Sequence, residues 1–296
     1  MKIGIAGTGK MGTAIAGRLL SLGHEVAVWN RTEARADGAR KLGARWAASP
    51  QALVAGADVI IGLLTDEQAL DEVYLSANGL LSGAAQGKVF LEMSTVSPLK
   101  QQEMAKRVQA AGGVYIESPV GGSIGPAKEG KLMAFVGGDD AEVQKIKPLL
   151  DQMCRRVEHV GPHGAGSMMK LAINLPLMVY WQTLAEALSL IQPLGLDPKR
   201  VIDIFSDSSG GPNVLKNRGP LIAQTMIDGR TDTVNVPVDT VAKDIRAMLA
   251  HAQTLGVSLP LTSQALDVFS RATQLGLGPA DSSEHLVWWQ QHNRAA

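Results

Sequence analysis

The sequence predicts an α/β protein: an N-terminal doubly wound Rossmann domain followed by an all-α C-terminal domain, joined by a long interdomain helix. Three observations predict it. A strand-like run from Lys2 to Ala6 enters Gly7-Thr-Gly-Lys-Met-Gly12 and leaves it with helical spacing through Leu20. Short apolar runs then alternate with helical segments as far as Val160, the pattern of a parallel sheet flanked by helices. Beyond Gly161 the strand signals stop and only helical periodicity continues. The expected boundaries are 1–162 for the Rossmann domain, 163–192 for the joining helix and 193–296 for the helical domain.

Composition narrows the function. The 296 residues carry 28 Lys plus Arg against 28 Asp plus Glu, so no net field draws nucleic acid or an acidic membrane. The single cysteine, Cys154, excludes an internal disulfide and has no metal-ligand company. It reads as a small buried apolar residue, and no metal site is expected. The apolar stretch at the N-terminus is too short and too glycine-punctuated for a signal peptide, and no run reaches transmembrane length. A soluble, cytoplasmic protein is expected.

The first glycine motif has a strand before it and a helix after it, which raises a common pattern to a dinucleotide-binding signal. Gly7 makes the tight turn, Gly9 lets a pyrophosphate approach the backbone, and Gly12 packs helix on strand. Thr8, Lys10 and Met11 belong to the same turn and are assigned to the cofactor with it. The helix N-terminus then offers free N–H groups to the phosphates. A plain strand-to-helix glycine turn is the alternative.

Glu25 to Trp29 is the second strand, followed by Asn30-Arg31-Thr32. An NAD-preferring fold usually carries Asp or Glu here, accepting from the ribose hydroxyls. Asn30 has no charge and Arg31 can pair with a 2′-phosphate, so NADP(H) is the expected cofactor. Asp58 to Leu64 is a near-continuous apolar strand. Leu63, Leu64 and Thr65 stand at its carboxyl edge, where such sheets bind ligands. Lys88 to Met93 is the next strand, with Thr95 placed toward the ligand and Ser97 capping a helix that starts at Pro98. Val114 to Glu117 leads to a loop, 118–127, whose small residues Gly121, Gly122 and Ser123 can line a substrate pocket with backbone amides. Lys131 to Gly137 and Arg155 to Val160 read as closing strands around a helix from Asp140 to Met153.

The run from Gly161 to Asn174 carries the chemistry. Gly166, Lys170 and Asn174 are four apart and share a helix face. Lys170 suits proton transfer to a substrate oxygen, and the Asn174 amide suits holding it. Met168, Met169, Leu171, Ile173, Leu175 and Leu177 are expected to give Lys170 an apolar surround that lowers its pKa. A solvated lysine and a surface asparagine are the alternative. Pro176 removes the hydrogen-bond partner of the Ala172 carbonyl and should kink the helix. Later helices are expected at 198–207, 213–227, 238–255, 260–276 and 281–292, the last with Asp281 and Glu284 as a capping box. Asp239 and Lys243 lie four apart on one of them.

Together these motifs resemble the β-hydroxyacid dehydrogenase family over nearly the whole chain. The pieces are Gly7 to Gly12, Met93-Ser-Thr-Val-Ser-Pro98, Pro119-Val-Gly-Gly-Ser123, the Gly164 to Asn174 run, and Lys243-Asp244. Trp29-Asn-Arg-Thr32 and Pro126-Ala-x-x-Gly130 look most like its NADPH-using glyoxylate and succinic semialdehyde reductase branch. The resemblance implies Lys170 as acid–base group, Asn174 as substrate positioner, and Thr95 and Lys243 near the nicotinamide. It also implies a homodimer sharing the long helix.

Two positions depart from that branch. A serine that helps hold a substrate carboxylate is replaced by Gly121. The run Phe-Pro-Leu-Lys-His becomes Val236-Pro-Val-Asp239-Thr240. If Asp239 faces the substrate, small anionic substrates are disfavoured. The expected activity is reduction of an aldehyde or semialdehyde with NADPH. An imine reductase on the same fold, or a non-enzymatic NADP-binding interaction module, are the alternatives.

Overall fold

The structure, a computed structural model, describes residues 1–293. The chain divides into two compact units, Met1–Leu171 and Ala172–Ala296.

The first unit is built on a nine-stranded sheet. Its elements in order are β1 (Lys2–Ala6), α1 (Lys10–Ser21), β2 (Glu25–Trp29), α2 (Asp37–Lys41), β3 (Arg45–Trp46), α3 (Pro50–Ala55), β4 (Val59–Gly62) and α4 (Glu67–Leu75). They continue with β5 (Val89–Glu92), α5 (Pro98–Ala110), β6 (Val114–Glu117), β7 (Val120–Gly121), α6 (Ile124–Glu129), β8 (Leu132–Gly137), α7 (Asp140–Met153) and β9 (Cys154–Gly161). The strands lie in the order β3-β2-β1-β4-β5-β6-β8-β7, and β9 pairs with β8. The direction of the order reverses between β1 and β4, the crevice in which doubly wound sheets bind nucleotides.

Alternate residues of the central strands feed opposite faces, as the pleat requires. Ile3, Ile5, Val59, Ile61 and Leu91 pack with Ile15 and Leu19 of α1 and Leu149 and Leu150 of α7. Ile60 and Phe90 pack on the other face with Leu53 of α3, Tyr74 of α4 and Met104 of α5. Each such buried aliphatic side chain stabilises by about 1.5–3 kcal/mol. Burial of both faces is why these strands read as continuous apolar runs.

Several expectations need correction here. The sheet is not wholly parallel: β8 runs antiparallel to β6 and β7. The strand expected at 58–64 ends at Gly62, which frees Leu63 to Thr65 from the ladder. The expected substrate loop contains the short strand β7 and the helix α6.

The helix α8 (Ala165–Ile191) continues through Pro176, so the proline does not end it. The second unit contributes α9 (Pro198–Asp207), α10 (Asn213–Asp228), α11 (Val238–Thr254), α12 (Pro260–Ala272) and α13 (Ser282–His292). Helix α12 stops at Ala272, and a wide turn follows in which Gly276 has a φ of 94°. A buried network ties this unit together. Asp281 accepts from the Arg218 guanidinium at 2.6 Å, from the Asn235 and Val236 amides, and from the Ser283 amide and hydroxyl. Asp281 is therefore the cap of α13, as the sequence suggests. Glu284 instead accepts from the Thr231 amide, so no capping box closes. No helix among the described residues is long and apolar enough to cross a membrane.

Candidate active site

The glycine turn between β1 and α1 is shaped for an anion. Gly7 has a φ of 102°, and a Cβ on it would lie 2.2 Å from the Leu63 carbonyl oxygen. A Cβ on Gly12 would lie 2.0 Å from the Gly7 carbonyl oxygen. Both close approaches require glycine. Gly9 fronts open space, with nothing within 4 Å of where a Cβ would stand. No side chain caps the first amides of α1, and the buried Thr8 hydroxyl has no hydrogen-bond partner. An open, uncapped helix start beside an orphaned hydroxyl fits a dinucleotide pyrophosphate. Lys10 is exposed at the mouth of this turn and Met11 half-buried behind it.

Gly7, Gly9, Asn30 to Thr32 and Leu63 to Thr65 line one cavity of about 460 Å³. Asn30 spans it: its Oδ1 accepts from the Thr8 amide at 3.1 Å and its Nδ2 donates to the Thr32 carbonyl at 2.9 Å. Asn30 therefore fixes the glycine turn to the end of β2. Arg31 is exposed and its Nη1 pairs with Glu72 at 3.0 Å. Arg35 lines the same cavity and was not singled out from the sequence. Nothing in the sequence reveals that its short helical turn carries it back toward Arg31.

Thr95 is half-buried after β5. Gly121 pairs with Met133 in the sheet, while Gly122 and Ser123 are exposed before α6. Lys170 is half-buried on the second turn of α8. The apolar surround expected for it needs correction. Leu171 is buried and Leu175 and Leu177 half-buried, but Met168, Met169 and Ile173 are exposed at 39%, 39% and 43%. Met169 and Met168, one and two places away, point to other sides of the helix, and Ile173, though a neighbour at three places, is itself exposed.

At the start of α8 lies a carboxyl group that the sequence reading passed over. Glu117, at the end of β6, is wholly buried and its Oε1 accepts the Gly164 and Gly166 amides at 2.5 and 2.9 Å. Burial pushes its pKa up to about 7, against the pull of those two amides. Its position on an otherwise apolar buried strand was the available signal.

In the second unit, Asn174 is buried and its Nδ2 lies 3.5 Å from Oδ2 of Asp244. Lys243 pairs with the other oxygen of Asp244 at 3.0 Å. Asp244 thus joins two expected site residues, though it was not itself expected. It falls on the buried stripe of Val241, Ile245 and Met248, where an acid is out of place unless paired. Asp239 is exposed; its Oδ1 accepts from the Thr273 hydroxyl at 3.0 Å, and its carboxylate packs over Gly278.

Comparison with known proteins assigns the chain to a family. The model of the NAD binding domain of 6-phosphogluconate dehydrogenase matches residues 2–161. The model described as NAD-binding of NADP-dependent 3-hydroxyisobutyrate dehydrogenase matches residues 164–289. The chain belongs to the β-hydroxyacid dehydrogenase family. It is 31% identical, over 96% of its length and 78% of the relative's, to glyoxylate/succinic semialdehyde reductase 2, chloroplastic, of Arabidopsis thaliana. It is 32% identical to the NAD-dependent L-serine dehydrogenase of Pseudomonas aeruginosa, over 95% of each chain. The solved 3-hydroxyisobutyrate dehydrogenase of Salmonella typhimurium matches with a TM-score of 0.87 at 26% identity, covering 97% of this chain and 99% of that one. As a β-hydroxyacid dehydrogenase, the protein is an NAD(P)-dependent oxidoreductase acting on a small molecule by hydride transfer. Among the described residues no cluster of His, Cys, Asp or Glu could hold a metal ion.

Proposed function

We propose that the protein is an NADPH-dependent reductase that converts an aldehyde or semialdehyde to an alcohol, with Lys170 as general acid. The observation that carries this is the face of α8. Gly166, Lys170 and Asn174 follow one another at single-turn spacing, and Asn174 is held through Asp244. The dinucleotide, when bound, supplies the hydride. Lys170 holds a proton at Nζ for the substrate oxygen and takes one back in the reverse direction. Such help contributes on the order of 10²–10⁴ in rate. The Asn174 amide orients the same oxygen. The family resemblance assigns Thr95 and Lys243 to the nicotinamide end. Gly121, Gly122 and Ser123 form the substrate wall.

The 2′-phosphate is recognised by Arg31, with Arg35 on the same cavity. No acidic residue ends β2, which supports NADP(H) over NAD(H). Residues 1–162 are the cofactor-binding domain, 163–192 the interdomain helix, and 193–296 the all-α substrate and dimerisation domain. The exposed Met168, Met169 and Ile173 of α8 support a partner on that helix. A cytoplasmic location is part of the same proposal.

A second reading, reduction of a C=N bond, is favoured by one observation: Gly121 offers no hydroxyl for a substrate carboxylate. A panel of aldehydes, 2-oxo acids and cyclic imines, scored by NADPH and NADH consumption, tests the proposal. Aldehydes with NADPH should turn over fastest. Faster turnover of cyclic imines would favour the second reading, and no turnover of the aldehydes would overturn the first.

A further inference from the structure

The start of α8 is locked by contacts that all lie within the first unit. Glu117 and Gly137 are register partners on β6 and β8, and a Cβ on Gly137 would fall 2.1 Å from Glu117 Oε1. The glycine thus vacates the space that the carboxyl group fills. From there Oε1 accepts the Gly164 and Gly166 amides, two of the N–H groups that a helix start leaves without partners. Ser167 faces the same carboxyl group. Gly166 presses on the neighbouring strand: a Cβ there would lie 2.4 Å from the Phe135 carbonyl oxygen. The first turn of α8 is therefore fixed in rotation and in distance from the sheet. Lys170 stands one turn further along the same rigid helix, four residues after Gly166.

We propose that Glu117 is a positioning residue for Lys170: its buried carboxyl group clamps the first turn of α8 to β6 and β8 and so sets where the ammonium of Lys170 stands. This rests on the assignment of Lys170 as the proton donor. The clamp works through an acceptor oxygen, not through the charge itself. Both glycine amides bond to Oε1, so an amide oxygen in its place would keep them. Proton transfer is steeply sensitive to placement, and a shift of about 1 Å costs about 10²-fold in rate. The glycine turn of α1 is separate from this clamp, so loosening it should spare cofactor binding.

The test compares Glu117→Gln, Glu117→Ala and Gly137→Ala with the wild type, reading aldehyde turnover, NADPH affinity and thermal melting. Glu117→Gln keeps an acceptor at Oε1 and should hold kcat within about threefold. Glu117→Ala should lower kcat by about 10–100-fold while NADPH Kd changes by less than about threefold. Should Glu117→Ala not fold, Gly137→Ala decides, because its methyl displaces the carboxyl group without removing it and should give the same kcat loss. Each loss should vanish in a Lys170→Met background, since the clamp acts through that lysine. If Glu117→Gln loses as much kcat as Glu117→Ala, or if the losses persist undiminished in Lys170→Met, the clamp is refuted while the role of Lys170 stands. If Lys170→Met itself turns over normally, the assignment of Lys170 fails first, and that single variant reveals it.

Discussion

Removing the Arg31 guanidinium should separate NADPH from NADH. In the structure this group is exposed and shared with Glu72, whose Oε2 lies 3.0 Å from Nη1. An exposed pair of this kind is worth about 0.2–1 kcal/mol, so a phosphate competes for Arg31 against a weak partner. A hydrogen bond to a charged group is worth about 1.5–3 kcal/mol. Subtracting the ion pair that must be given up leaves roughly 0.5–2.8 kcal/mol for the 2′-phosphate, or about 2–100-fold in Kd. Arg31→Ala should therefore weaken NADPH by that factor and leave NADH within about twofold. Glu72→Gln should do the reverse and tighten NADPH by a few-fold, because it frees Arg31. Fluorescence titration of both cofactors with both variants checks this, at one fixed ionic strength because exposed charges are screened. Equal losses for NADPH and NADH in Arg31→Ala would refute the 2′-phosphate assignment.

Other perturbations address stability and substrate charge. Asp281→Ala leaves Arg218 buried beside Trp181 without its anion and removes the cap of α13, which should cost about 3–5 kcal/mol of stability by denaturant unfolding. Burial holds the Glu117 carboxyl near 7, above its unfolded value of 4.5, so the native state keeps a proton that the unfolded chain releases. Its contribution is complete below about pH 4.5 and declines as pH rises to about 7; Glu117→Gln should flatten that part of the stability curve. His285 behaves oppositely: burial lowers it to about 4 from 6.5, so its contribution is complete above pH 6.5 and is lost as pH falls toward 4. If Asp239 faces the substrate, Asp239→Asn should raise turnover of carboxylate-bearing aldehydes relative to neutral ones of similar size, and no change would show that it does not.

The sequence made much of this architecture readable where local rules act alone. The strands β1, β2 and β6 and the helices α7 and α9 have the bounds that periodicity and capping residues suggest. Short elements between residues 30 and 58 were missed, because β3 has only two residues and no period can be read from two. The strand β8 was expected, but its antiparallel direction was not, because direction depends on the path of the chain through β7 and α6, which local pattern does not encode. Among the candidate site residues, Gly7, Asn30, Lys170 and Asn174 are proposed from the sequence because each sits at a fixed offset within a motif. Glu117 is not, since its partner lies 47 residues away, and Asp244, visible only as the second half of a motif with Lys243, gains its role from Asn174, 70 residues away. Both are acids on buried stripes, a signal worth reading as strongly as a motif. The surround of Lys170 was misjudged for the converse reason, since neighbours in sequence were taken for neighbours in space.

The most direct measurement is single-turnover reduction of an aldehyde by Lys170→Met with NADPH bound, set beside reduction of a preformed iminium by the same variant. On the proposed assignment, cofactor binding falls to the glycine turn, Arg31 and the start of α1, so NADPH affinity should be nearly unchanged. The ammonium is needed only as charge develops on the oxygen. Aldehyde reduction should therefore fall by about 10²–10⁴-fold, while the iminium, which needs no proton, should lose far less. Aldehyde reduction at close to the wild-type rate would contradict the account.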